Sequence, residues 1–314
     1  MKRMMREVHL PRRLRSVVWF METLRIKPRP PFSFERTVRR LFHLQKSGYF
    51  VRKGILYRTL RAKGRPFVVE IGWQAPFLQF RIHQAVTPEE RRELKEQLRR
   101  MFSADVDLIP FYRRAEQDEL LAPVVRKRKG LRPVLDPTLY ECLIKTIISQ
   151  QLNLAFAGTL IDRLMQLAGE RVEFDGESVC VFPTPDRVAA LSYEDLTRLK
   201  FSRRKAEYVI DISRMVAEGA LDLEGLRRRS DEEVMETLLP LRGIGRWTVE
   251  CLLLFGMGRP DLLPAADIGL RRAVQKVYGL AKRPGEEEVR RIGEAWAPWR
   301  SYATFYLWDA ITGG

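Results

Sequence analysis

The sequence predicts an α+β fold: an N-terminal antiparallel β-sheet domain with packed helices, followed by an all-helical domain. Two observations carry this prediction. Apolar residues recur at period two over residues 66–84, and at three- and four-residue spacing from residue 138 onward. A third, the Pro-rich basic stretch Pro123–Pro137, separates the two regimes.

Residues 1–33 are basic and end in Lys27-Pro28-Arg29-Pro30-Pro31; they read as an extended arm or a short helix plus linker, not a core element. A β-rich domain is expected over 34–122. Tyr49–Leu60 is aromatic and β-branched, broken at Lys53-Gly54. Pro66–Trp73 and Phe77–Gln84 alternate and are joined by the turn Gln74-Ala75-Pro76. Thr87-Pro88-Glu89-Glu90 opens a helix, with Thr87 as N-cap, Pro88 in the first position and Glu90 closing a capping box. After the joint at 123–137, the helical domain is expected over 138–314. Its helices are predicted at Thr138–Gln150, Leu152–Leu167, Ser202–Glu218, Asp231–Leu238, Arg246–Phe255, Ile268–Val277, Glu286–Glu294 and Arg300–Ala310. A small hairpin around Asp175-Gly176 interrupts them.

Composition bounds the function. The 314 residues are 45% hydrophobic and 31% charged, as in ordinary globular proteins. No apolar run is long enough for a membrane span, and Val17–Met21 is too short for a signal-peptide core, so an intracellular location is expected. Three dispersed cysteines and three histidines make neither a disulfide framework nor a zinc or four-thiolate cluster site. The net charge is +16, and its distribution is uneven. Residues 1–130 hold 31 basic and 13 acidic side chains, and the remainder holds 25 and 27. Such a surplus fits a polyanionic partner, although a solvated arginine-rich surface has the same composition.

The most specific segment is Leu239-Pro240-Leu241-Arg242-Gly243-Ile244-Gly245-Arg246-Trp247-Thr248, between two helical patterns. Gly243 and Gly245 allow a tight turn that presents N–H groups at a helix start, where phosphate oxygens bind without sequence readout. Ile244 is expected to point inward as an anchor, with Arg246 and Thr248 completing the phosphate-binding hairpin. Downstream lie Gly256-Met257-Gly258-Arg259-Pro260-Asp261 and Leu263-Pro264. Asp267 then directly precedes a helix.

Hairpin, Gly/Pro-rich loop and aspartate, in that order, resemble the helix-hairpin-helix DNA glycosylases, in particular the 3-methyladenine DNA glycosylase II branch. Ile147–Asn153, Phe182–Pro185 and Lys205-Ala206 resemble further landmarks of that family. The resemblance is clear over 135–310 and weaker over 34–100. It implies a monomer that acts on double-stranded DNA containing damaged bases, without metal or cofactor.

The resemblance makes Asp267 the catalytic residue. Breaking a base–sugar bond builds positive charge on the sugar, which a carboxylate stabilises; the same carboxylate can orient a water. An aspartate before a helix is also an ordinary N-cap. Members that cleave the backbone carry a lysine at the position of Trp247. Its absence here implies a monofunctional glycosylase with water as nucleophile. Trp247 and Trp308 are the implied walls of the base pocket, where an electron-rich ring attracts a cationic alkylated purine. Trp296, Trp299, Tyr302 and Tyr306 read mostly as core. The family branch often has an aromatic four residues after Trp247, where this chain has Cys251. Flipping a base requires a filler for the vacated stack; Gln151, then Leu152, occupy the family's position for it. Two other readings are a non-catalytic helix-hairpin-helix DNA clamp and a glycosylase for deaminated or oxidised bases.

Overall fold

The computed structural model describes residues 22–44 and 47–312. Alternating apolar residues build a five-stranded antiparallel sheet from β1 (Glu22–Ile26), β2 (Tyr49–Arg52), β3 (Ile55–Ala62), β4 (Arg65–Gln74) and β5 (Phe77–Ile82), in the order β1-β5-β4-β3-β2. In β5 the pattern is strict, and Leu78, Phe80 and Ile82 are buried at alternate positions. β4 is buried almost continuously over Phe67–Ile71 because both sheet faces are covered. One face packs on α1 (Phe34–Leu44) and on α2 (Pro88–Met101) through Val38, Leu94, Leu98 and Met101. On the other, Val68 and Tyr57 meet Phe174 of the hairpin formed by β6 (Glu170–Phe174) and β7 (Glu177–Val181). The capping box at the start of α2 forms: Glu90 N donates to Thr87 Oγ1 and Thr87 N to Glu90 Oε2.

The stretch expected to be an arm over 1–33 contributes a core strand instead. β1 pairs with β5 along its whole length, and Leu24 and Ile26 are buried. The pattern was hidden because only two apolar side chains of this edge strand face the core. Residues 1–21 lie outside the described part of the chain.

The helical region is two packed units, not one. The first contains α5 (Leu139–Ser149), α6 (Leu154–Ala168), α7 (Pro185–Ala189), α8 (Tyr193–Arg198), α9 (Arg203–Ala217), α10 (Asp231–Leu238) and α11 (Arg246–Cys251), around Ile144, Ile147, Leu164, Val209 and Leu252. The second joins α3 (Ile109–Ala115) and α4 (Leu121–Lys127) to α12 (Ile268–Val277), α13 (Glu286–Gly293) and α14 (Arg300–Thr312). Here Phe111, Leu121 and Val125 pack with Leu270, Val274, Trp296 and Tyr306. The sequence after α2 therefore crosses to build a core with the C-terminal helices.

The expected joint at 123–137 is correspondingly not a loose linker. Arg132 is fully buried and donates to the backbone oxygens of Ser103, Val106, Arg29 and Pro31. Four carbonyl dipoles thus solvate a buried guanidinium and pin the β1–α1 loop to the end of α2. Among the described residues no helix is long and apolar enough to cross a membrane.

Candidate active site

The hairpin between α10 and α11 forms as its residues dictate. Gly243 has φ +89°, a left-handed value that side chains disfavour, and a Cβ there would come 2.3 Å from the Tyr208 ring. Both conformation and space therefore require glycine. Ile244 is 6% exposed, so it anchors the loop inward as expected. Gly245 begins α11, with open space where a side chain would sit. The first N–H groups of the helix have no intrahelical acceptor, and Arg246 lies exposed beside them. Arg246 Nε donates to Glu250 one turn on, at 3.3 Å. Burial pushes the Glu250 carboxyl above its ordinary range.

Thr248 does not belong to the phosphate-facing set. It is 1% exposed, and its Oγ1 accepts from Gln150 Nε2 at 2.9 Å. Its hydroxyl is a tether inside the fold, because the helix turns this position toward α5.

α11 widens into a π-helical stretch, Leu252–Met257, that ends at Gly258 in the left-handed region (φ +73°). Gly256 packs where a Cβ would lie 2.8 Å from Leu139. This segment carries Phe255, whose ring stacks on Trp308 at 5.7 Å between centroids and 16° between planes.

Asp267 is the N-cap of α12: Leu270 N donates to its Oδ1 at 2.7 Å. Trp308 Nε1 donates to the same oxygen at 3.0 Å. The cap and the site residue are thus one side chain. Gly269 lies against this bond: a Cβ there would sit 3.0 Å from Asp267 Oδ1 and 3.3 Å from Trp308 Nε1, a tight fit. Asp267 stays partly exposed, and its Oδ2 has no hydrogen-bond partner among the described residues. One carboxylate oxygen is held by two donors while the other is open.

α14 holds Trp308 in place. Adjacent Asp309 is 2% exposed and binds Arg39 of α1 through both oxygens at 3.0 Å, and Arg128 at 2.9 Å. At the start of the same helix, Asp261 binds Arg300 through paired contacts at 2.8 and 2.7 Å.

Trp247 is half-buried on the first turn of α11. Cys251, one turn further on, is buried, and burial together with the nearby Asp267 carboxylate pushes its thiol well above the usual range. The same helix face therefore runs toward Asp267. Trp308 finds its ring partner in Phe255 and not in Trp247, so the two tryptophans do not form a stacked pair. Trp296, Tyr302 and Tyr306 are core, as expected.

At the end of α5, Gln151 adopts φ +58° and its side chain is exposed, whereas Leu152 packs partly into the core. Lys205 Nζ donates to the oxygens of Ile147 and Gln150, at 3.2 and 2.6 Å, and fixes this turn. A cavity of about 470 Å³ lies elsewhere, between the sheet and the first helical unit, lined by residues such as Thr59, Tyr140, Phe182 and Leu221. None of the expected site residues borders it.

Phe255 and Asp309 carried no signal of their own in the sequence, since each acts through a partner distant in the chain. Gln150 and Lys205 lay inside landmark segments and Gly269 two residues after Asp267, but what each of them touches could not be read from the sequence.

Comparison with known proteins agrees with this geometry. Residues 144–298 match the HhH-GPD superfamily base excision DNA repair protein family. YfjP of Bacillus subtilis (strain 168) is 44% identical over 191 residues, a match spanning 61% of this chain and 65% of YfjP. The DNA-3-methyladenine glycosylase of the same organism is 36% identical over 222 residues, covering 71% of this chain and 73% of that protein. Among solved structures, a 3-methyladenine DNA-glycosylase from Archaeoglobus fulgidus superposes with a TM-score of 0.80 at 26% identity, covering 91% of this chain and 97% of that one. By sequence and by fold, this chain belongs to the HhH-GPD superfamily of base excision DNA repair proteins.

Proposed function

We propose that this protein is a monofunctional DNA glycosylase of the 3-methyladenine type, which flips an alkylated purine out of the duplex and hydrolyses its bond to the sugar with Asp267 and water. The single observation that carries the reading is the environment of Asp267. Its Oδ1 is saturated by Leu270 N and Trp308 Nε1, and its Oδ2 is open.

The chemistry follows from charge. Departure of the base leaves positive charge on the sugar, and a carboxylate fixed in advance stabilises it without reorganising. The open oxygen can also orient the attacking water. A cationic alkylpurine is already a good leaving group, so no acid is needed. Trp247, whose side chain has no amine, cannot form the Schiff base of a lyase. It serves as a wall for the flipped base. Trp308 combines a wall with a second task, holding Asp267. Gln151, exposed on its strained turn, fills the vacated stack, with Leu152 behind it. The N–H groups around Gly243–Gly245, with Ile244 as anchor and Arg246 beside them, take a phosphate.

Base release measured from duplexes carrying 3-methyladenine or hypoxanthine tests the proposal. The methylated base should be released the faster, leaving an intact abasic site, and borohydride should trap no protein–DNA adduct. DNA binding without release of either base would support a non-catalytic clamp. Preferential release of hypoxanthine would support a glycosylase for deaminated bases.

A further inference from the structure

The end of α5 and the DNA-facing hairpin are joined by one side chain. Gln150 Nε2 donates to Gly243 O at 2.8 Å and to Thr248 Oγ1 at 2.9 Å. It thereby binds both the loop of the hairpin and the first turn of the helix after it. Those two acceptors lie 93 and 98 residues away in sequence. Thr248 is almost fully buried, so without Gln150 its hydroxyl would lose this partner in a place water does not reach. Gln150 is also the residue at which α5 stops, with ψ 127°. The next residue, Gln151, has the left-handed φ of +58° that turns its side chain out of the fold. The main chain of the same turn is gripped from α9, where Lys205 Nζ donates to Gln150 O. The turn that carries Gln151 and the hairpin that carries Gly243 therefore move together or break two hydrogen bonds.

We propose that Gln150 is a positioning residue that couples phosphate engagement at the hairpin to the insertion of Gln151 into the base stack. The inference rests on the functional reading above, in which both parts meet DNA. Gln150 touches neither phosphate nor base. It sets where the wedge stands once the backbone is gripped. Its loss should therefore hurt the step that extracts a paired base, and should spare the chemistry on a base that is already unpaired.

The test places one 7-methylguanine in a fully paired duplex and in a short unpaired bubble, and measures single-turnover release by the full chain, by Gln150→Leu and by Thr248→Val. Gln150→Leu keeps the bulk and removes both donors. It should slow release from the paired duplex at least tenfold and from the bubble less than threefold, with affinity for undamaged duplex within about threefold of wild type. Thr248→Val removes one acceptor only and should show the same asymmetry at smaller size, which protects the test if Gln150→Leu is poorly folded. Equal losses on the two substrates, or none on either, would overturn the coupling while leaving the functional reading intact. A wild-type protein that releases the base from neither substrate would overturn the functional reading, and this inference with it.

Discussion

At the scale of the residue, Asp267 and Trp308 together define the proposed site. The carboxylate Oδ1 accepts from two donors, and Trp308 supplies the one that lies against Gly269. Trp308→Phe keeps a ring against Phe255 and deletes only the donor. A hydrogen bond to a charged group is worth about 1.5–3 kcal/mol, so base release should fall by about tenfold to a hundredfold. Melting temperature should change little, because Asp267 still accepts from Leu270 N and caps the helix. Unchanged single-turnover release by Trp308→Phe would make Trp308 a packing residue. Asp267 stands out in the sequence because the order of hairpin, Gly/Pro loop and aspartate is a linear pattern, whereas Trp308 is singled out only by the family resemblance. Their mutual contact was not legible. The stack of Phe255 on Trp308 and the gap at Gly269 depend on how two helices cross, and no local periodicity encodes that. Thr248 misled for a related reason: its position in the motif pointed to phosphate, but the helix phase turns it inward.

At the scale of the element, caps and periods were legible, and short segments were not. Thr87, Thr138, Asn153 and Ser202 all accept N-cap hydrogen bonds, at helix starts near those the sequence predicts. α3 and α4 escaped notice because each has seven residues, a leucine at the N-cap and no side-chain cap bond there. β1 escaped because its few apolar residues sit beside a basic segment. Between elements, the sheet is fastened to α5 by a buried ion pair, Arg58 with Glu141, whose side chains are 0% and 5% exposed. Arg58 also lies over the Tyr49 ring at 4.7 Å, and Gly48 is needed to admit it. Lys145 approaches Glu141 at 3.5 Å and pairs with Asp136, while burial pushes the Glu141 carboxyl upward. Removing one partner of a buried pair typically costs about 3–5 kcal/mol. Arg58→Met should lower unfolding free energy in urea by that amount, and Arg58→Met with Glu141→Gln should recover part of it. A loss below about 1 kcal/mol would show that Lys145 alone satisfies Glu141.

At the scale of the whole molecule, three packed units carry the hairpin, the Gln151 turn and Asp267, and a basic N-terminal third adds charge. The threading of α3 and α4 onto the C-terminal helices could not be read from the sequence, because it pairs segments more than a hundred residues apart. The charge could be read, and the structure refines where to cut. Residues 1–33 include β1, so the informative deletion is 1–21, which removes six basic side chains and one acidic. If these residues meet DNA, the slope of log affinity against log salt should flatten by ~0.9 for each phosphate that the shortened chain no longer neutralises. An unchanged slope would assign that charge to solvent. The central claim, that this molecule cleaves the base–sugar bond through Asp267, is tested most directly by Asp267→Asn. Asparagine caps helices about as well as aspartate, so the substitution removes the charge and keeps the fold. Single-turnover release of an alkylated purine should fall on the order of a hundredfold or more, with melting temperature and abasic-DNA affinity nearly unchanged. A folded Asp267→Asn protein that releases the base at close to the wild-type rate would contradict the account.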